Sequence, residues 1–200
     1  MIYDKREDLK WEEVKVDHVI SDEWMDLRKS RFRFPDGKEF EPYYSYSRRS
    51  FVVVVARDTE GKFLCVRQFR YGIKKVTTEF TAGGLERGDG REYAFGDSIE
   101  DYEDALSAAK RELLEETGYA SVEWTHIITV PSNATIADNY AFIYFADNCR
   151  KVAEQSLDET EYLNVELHSA EEIEELIRQG NFEQANHILA WYMLKDRNLL

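Results

Sequence analysis

Apolar and polar residues alternate with a period of two through much of the first quarter of the chain. Val14 and Val16 sit between charges, as do Val19 and Ile20 after a shift. Phe32 and Phe34 alternate with arginines, and Tyr44 and Tyr46 keep the same period. A Pro-Asp-Gly turn signal stands at 35–37. The pattern predicts an amphipathic, β-rich segment over 13–50, too poor in apolar residues to build a core alone. Residues 51–57 form a continuous apolar run. A polar turn at 58–62 and a second apolar run at 63–69 complete a buried hairpin. A further strand is expected at 77–81, ending at Gly83 and Gly84, and a loop over the acidic, glycine-bearing stretch 86–102. Residues 103–117 lack Gly and Pro and are rich in helix formers, with Gly118 placed to cap the end. Strands are expected at 122–130, 140–146 and 161–167, and helices at 170–179 and 182–195. Strands interleaved with one central helix and a helical C-terminus predict an α/β (α+β) sandwich.

Length and composition narrow the class. Two hundred residues suit about one domain. A hydrophobic share of 43% excludes disorder throughout. The net charge of −14 argues against a nucleic-acid or anionic-membrane binder, while the carboxylates suit hard cations. Cys65 and Cys149 lie among apolar residues and read as reduced core thiols rather than a disulfide framework. The charged first residues have no apolar signal core, and the longest apolar run is too short to span a bilayer. The expectation is a cytoplasmic protein.

Chemistry concentrates in the helix at 103–117. Glu112, Glu115 and Glu116 fall at i, i+3 and i+4, on one helical face. Three like charges in a last turn repel one another and oppose the helix dipole. A solvated acidic face is one reading; a bound divalent cation, which would compensate the repulsion, is the other. The context Arg111-Glu112-Leu113-Leu114-Glu115-Glu116-Thr117-Gly118, with Glu103 eight residues before Arg111, resembles the second half of the Nudix hydrolase signature G-x5-E-x7-R-E-U-x-E-E-x-G-U. Tyr119 replaces the final aliphatic residue. Residues 84–102 separate Gly83 from Glu103, nineteen where the pattern has five, which reads as an insertion at about 89–102. Either Asp89 or Glu103 then takes the place of the signature's first acid.

The resemblance implies a Nudix-type α/β/α sandwich over residues 48–200, with residues 1–47 as a β-rich dimerisation and substrate-capping region. It implies metal ligation of Mg²⁺ or Mn²⁺ by Glu112, Glu115, Glu116 and the Ala82 carbonyl, with Arg111 pairing Glu103 or a neighbouring acid. Arg67-Gln68-Phe69-Arg70-Tyr71 followed by Glu79-Phe80-Thr81-Ala82-Gly83 is similar to the ADP-ribose pyrophosphatase subfamily, with Thr81 in place of a proline. The implied substrate is ADP-ribose or a similar nucleoside diphosphate sugar, and the implied assembly is a homodimer. Trp24 would stack on the base, its rival role being a half-buried strand residue. Arg48, Arg49 and Arg70 would hold phosphate or ribose, and Glu79 would serve as a site acid or a structural one. Glu159 is expected as the catalytic base, with Glu161 assisting or ligating metal. Residues 131–139 depart from the S-P-G-x-x-x-E loop of the subfamily, with Asn139 where the glutamate would stand. A GDP- or UDP-sugar, a dinucleotide, or an ADP-ribose-binding regulatory role are the alternatives.

Overall fold

The computed structural model describes residues 6–22, 24–87 and 102–200. Asp89 and the proposed insertion at about 89–102, apart from Tyr102, lie outside the described residues. A short 3-10 turn (Arg6–Leu9) precedes eleven strands and three helices.

The centre is β4 (Phe51–Asp58). Its residues alternate between two packed layers, as a strand's period of two requires. Val53 and Val55 enter one cluster with Phe63, Phe80, Ile173, Phe182, Ala190, Trp191 and Leu194. Val52, Val54 and Ala56 enter another with Leu64, Leu85, Ala108, Ala109 and Leu113. Burial on both faces explains why 51–57 reads as an unbroken apolar run. Around β4 an eight-stranded mixed sheet is ordered β11-β5-β4-β10-β8. It comprises β5 (Phe63–Arg70), β6 (Lys75–Glu79), β7 (Thr81–Gly84), β8 (Tyr119–Ala120), β9 (Glu123–Pro131), β10 (Tyr140–Lys151) and β11 (Leu163–His168). β10 runs parallel to β4, from Ala141 opposite Phe51; β5 and β7 run antiparallel to it.

Helix α1 (Ala105–Thr117) covers one face, and α2 (Ala170–Gln179) and α3 (Ala185–Asp196) cover the other. This is the α/β/α sandwich with a mixed sheet. α1 begins two residues later than its composition predicts because Asp104 caps it, accepting from the N–H groups of Leu106 and Ser107. Gly118 ends it at φ 75°, in the left-handed region where glycine carries no Cβ penalty.

The strand expected at 77–81 is two strands. β6 pairs with β5 up to Glu79 opposite Val66, and β7 pairs with β4 from Thr81 opposite Val54. Phe80 between them is fully buried, and its N–H donates to His187 Nδ1 at 3.0 Å instead of to a strand. That switch brings the Gly83–Gly84 end of β7 alongside α1.

A separate antiparallel sheet is made of β1 (Glu12–Ser21), β2 (Asp26–Arg33) and β3 (Glu39–Ser47). Every residue of β1 is exposed. Trp11, Phe32, Phe34, Phe40 and Tyr43 cluster on it, with ring centroids 4.5–6.5 Å apart. It joins the larger body through the loop before β10: Tyr46 N–H donates to the Ile136 carbonyl at 2.8 Å, and Arg28 and Ser47 both bond Asp138.

Candidate active site

The Glu112 carboxylate, from the last turns of α1, packs directly on Gly83 of β7, and it keeps this place because that residue has no side chain. A Cβ on Gly83 would stand 2.0 Å from Glu112 Cδ. The same packing buries Glu112 and Glu116, only 6% and 2% exposed. Glu161, from the loop before β11, joins them, and one carboxylate oxygen from each lies within 4.8 Å of the others.

Burial pushes the Glu112 carboxyl up to about 7, against the pull of Arg111, and the Glu115 and Glu161 charges push the same way. Burial raises Glu116 further above the usual carboxylate range, aided by the Glu112 and Glu161 charges. One Glu116 oxygen is buried with no hydrogen-bond partner. Carboxylates crowded this way are mutually repulsive as anions, and an oxygen-seeking cation is their natural counter-charge. The donor set fits Mg²⁺ or Mn²⁺.

Arg111 supplies part of the compensation expected of a cation. It donates to Glu103 at 2.7 Å, Glu112 at 2.9 Å, Glu115 at 3.0 Å and the Gly84 carbonyl at 3.0 Å. It therefore ties α1 to the end of β7 and leaves Glu116 as the acid it does not touch. Glu115 faces Arg111 and stays outside the three-acid group. Glu159 is exposed and is also outside it.

Beside this wall opens a cleft of about 480 Å³. Ala82, Gly83 and Gly84 line it from β7. Arg48, Arg49 and Phe51 approach from the start of β4, Arg70 from β5, and Trp24 and Tyr46 from the N-terminal sheet. Trp24 is 67% exposed, its ring free to take a planar ligand. Arg70 reaches Glu79 through two bonds of 2.8 and 2.7 Å, and Thr77 also donates to Glu79. Glu79 is fully buried, and the Arg70 guanidinium and Thr77 outweigh its burial to hold it below the usual range. Glu79 thus orients Arg70, and Arg70 reaches the cleft. The loop that departs from the subfamily pattern also lines it. Asn139 donates to the Arg49 carbonyl at 2.9 Å and accepts from Ser132.

Residues 46–192 match the family described as NUDIX domain. The chain belongs to the Nudix family. Its Nudix relatives include the ADP-ribose pyrophosphatase of Bacillus subtilis (strain 168), 27% identical over 186 residues, 92% of each chain. A methanol dehydrogenase activator of Bacillus methanolicus is 25% identical over 194 residues, 94% of each. A solved ADP compounds hydrolase shares the Nudix fold with TM-score 0.74 at 18% identity, over 94% of this chain and 93% of that one. Among the described residues no helix is long and apolar enough to cross a membrane.

The structure thus brings together Glu112, Glu116 and Glu161 at one wall, and Trp24, Arg48, Arg49, Arg70 and Ala82 around the cleft. Sequence reasoning missed Gln184, Asn186 and His187, which line the far side. No motif marks them. The four histidines, His187 among them, are scattered along the sequence, which assigns them no chemistry.

Proposed function

We propose that this Nudix protein hydrolyses the pyrophosphate bond of ADP-ribose or a similar nucleoside diphosphate sugar, giving AMP and ribose 5-phosphate. The observation that carries the reading is the convergence of Glu112, Glu116 and Glu161 beside Gly83, which itself lines a cleft edged by arginines and an exposed tryptophan. The similarity to an ADP-ribose pyrophosphatase over nearly the whole chain supports it.

Glu112, Glu116 and the Ala82 carbonyl would hold the divalent cation, with Glu115 set in place through Arg111. When bound, such an ion offsets the charge of the pyrophosphate and lowers the pKa of water near it. Arg48, Arg49 and Arg70 bind phosphoryl oxygens with their planar forks. Glu79 fixes the angle of Arg70. Trp24 stacks on the base, worth about 1–3 kcal/mol per base by analogy with other aromatic platforms. Glu161 stands next to the box acids and takes the proton from the attacking water; Glu159, two residues earlier, shapes the loop. We assign residues 1–47 to dimerisation and capping of the cleft, and residues 48–200 to the catalytic body. The exposed β1 supports a homodimer built through the N-terminal sheet.

The Ser132–Asn139 pair favours a second reading, in which the same chemistry acts on a GDP- or UDP-sugar or a dinucleotide. A regulatory role is the reading suggested by the relative named as an activator. A hydrolysis panel with Mg²⁺ separates them: ADP-ribose, GDP-mannose, UDP-glucose, NADH and diadenosine polyphosphates, with products resolved by chromatography. AMP and ribose 5-phosphate released fastest from ADP-ribose is the expected result. Tight ADP-ribose binding without turnover would overturn it in favour of regulation.

A further inference from the structure

Helix α3 begins without a cap. Its N-cap residue, Gln184, makes no side-chain capping bond, and the first turn carries no acid. The N–H groups of Ala185 and Asn186 have no backbone acceptor, while those of His187 and Ile188 both turn back to the Gln184 carbonyl. Four open N–H groups are the normal deficit of a helix start, met by a cap, water or a ligand. Here the start lies at the cleft, lined by Gln184, Asn186 and His187.

His187 points the same way by independent evidence. It is 3% exposed. Its Nδ1 accepts from Phe80 N–H, and its ring lies parallel to that of Phe80 at 6.2 Å. Burial, reinforced by the Arg70 charge and opposed by that of Glu79, lowers its pKa to about 4, so the ring is neutral at pH 7. With Nδ1 an acceptor, the proton of a neutral ring sits on Nε2. Nε2 has no hydrogen-bond partner among the described residues. Nor do the side chains of Gln184 and Asn186. The ring is buried, but Nε2 is not sealed from solvent, so its donor opens to the cleft, where water or a ligand can accept from it.

We propose that the N-terminus of α3, with His187 Nε2–H, Asn186 and Gln184, is the subsite for the sugar-phosphate half of the substrate. The donors suit phosphoryl oxygens, as helix starts do, and the two amides suit sugar hydroxyls. The half is chosen by what each side of the cleft can stack. Trp24 presents an open ring, whereas the aromatic residues near α3 (Phe80, Phe182 and Trp191) are fully buried in the core. A base has no platform there; a ribose phosphate needs none. Arg70, held by Glu79, also lines the cleft, and its charge acts on His187, so it supplies positive charge near the subsite. This assignment rests on the sugar-nucleotide reading above.

The test is titration calorimetry of the Mg²⁺-loaded protein with ribose 5-phosphate, AMP and inorganic phosphate, in the wild type and two variants. Asn186→Asp places an anion in the first turn of α3, which favours the helix but repels a bound phosphate. His187→Asn keeps an acceptor for Phe80 N–H and removes the reach of Nε2. Ribose 5-phosphate is expected to bind each variant about tenfold or more weakly, with AMP changed less than twofold and thermal unfolding of Asn186→Asp not lowered. ADP-ribose hydrolysis by the same variants should show a raised KM with kcat nearly kept. Equal weakening of both products, or of AMP alone, overturns the assignment to the sugar-phosphate half. Unchanged ribose 5-phosphate and phosphate binding in both variants overturns the subsite. If the wild type leaves ADP-ribose intact yet Asn186→Asp loses phosphate affinity, the subsite stands and the substrate reading falls.

Discussion

β1 and β4 are both strands rich in valine, and they meet opposite fates. β4 is enclosed on both faces, Val52 through Ala56 having no exposed surface. β1 is ten residues long and exposed throughout, with Val19 at 54%. The difference lies in the neighbours. β4 has β10, β5 and β7 beside it and helices above and below. β1 has only β2 beside it in the sheet, and its valines keep 36–54% of their surface exposed. Burial therefore makes β4 indispensable to folding, whereas β1 gains stability only from what it meets. The three-acid wall packs against the first region, and Trp24, proposed to stack on the base, belongs to the second.

The largest effect should come from the rigid region. Glu116→Gln removes the most buried box acid and should lower kcat by ~10²–10³-fold, measured on the best substrate of the panel. Retained activity would break the idea that the buried wall is where the chemistry sits. Next is stability. Leu113→Ala, a fully buried truncation under α1, should cost about 2–5 kcal/mol in denaturant unfolding. Val16→Ala in β1 should cost less than about 0.5 kcal/mol at protein concentrations low enough to keep the chain monomeric. A comparable cost would show that β1 is covered in the monomer.

pH sharpens the contrast. The folded-state pKa of Glu112 is raised to about 7 and that of Glu116 is also raised well above the usual carboxylate range, so the metal-free native state holds protons that the unfolded chain releases above about 4.5. Their stabilising contribution is full below that value and is lost as pH rises through 7. His187, with its pKa lowered to about 4, acts in the opposite sense, costing stability as pH falls below about 6.5. From pH 6.5 to 8 the glutamates govern. The Tm of the metal-free protein should fall across that window, and Mg²⁺ should raise it more at pH 8 than at pH 6.5. A flat profile would mean the two acids are not crowded as anions. The smallest effect on the fold belongs to Val19→Asp. It should leave the monomer Tm nearly unchanged and shift sedimentation toward monomer; an unaltered dimer would move the interface off β1.

Most of the architecture was legible because burial writes itself into periodicity. The two-faced run at 51–57, the helix before Gly118 and the capping box of α2 all follow local rules. The break at Phe80 was not legible, since it depends on a hydrogen bond donated to His187, 107 residues away. At the site, the spacing of Glu112, Glu115 and Glu116 placed the helix acids on one face. It did not show that Arg111 would draw Glu115 aside, while the acidic loop at 157–161 reads as the source of a base or a further ligand. Which of its acids meets the helix depends on the course of that loop, which no local pattern records. The cleft residues of α3 carry no motif.

As they stand, Gly83 and Glu112 leave no room between them: a methyl group on Gly83 would overlap the carboxylate. That carboxylate is the far end of a flexible side chain, so it would swing aside while helix and strand keep their places. The strand ladder beneath it is made by main-chain atoms, and the cleft beyond it is formed by other elements. On the proposed function, one methyl there displaces a metal-ligating acid and leaves the walls that recognise the ligand intact, so recognition and turnover come apart at a single position.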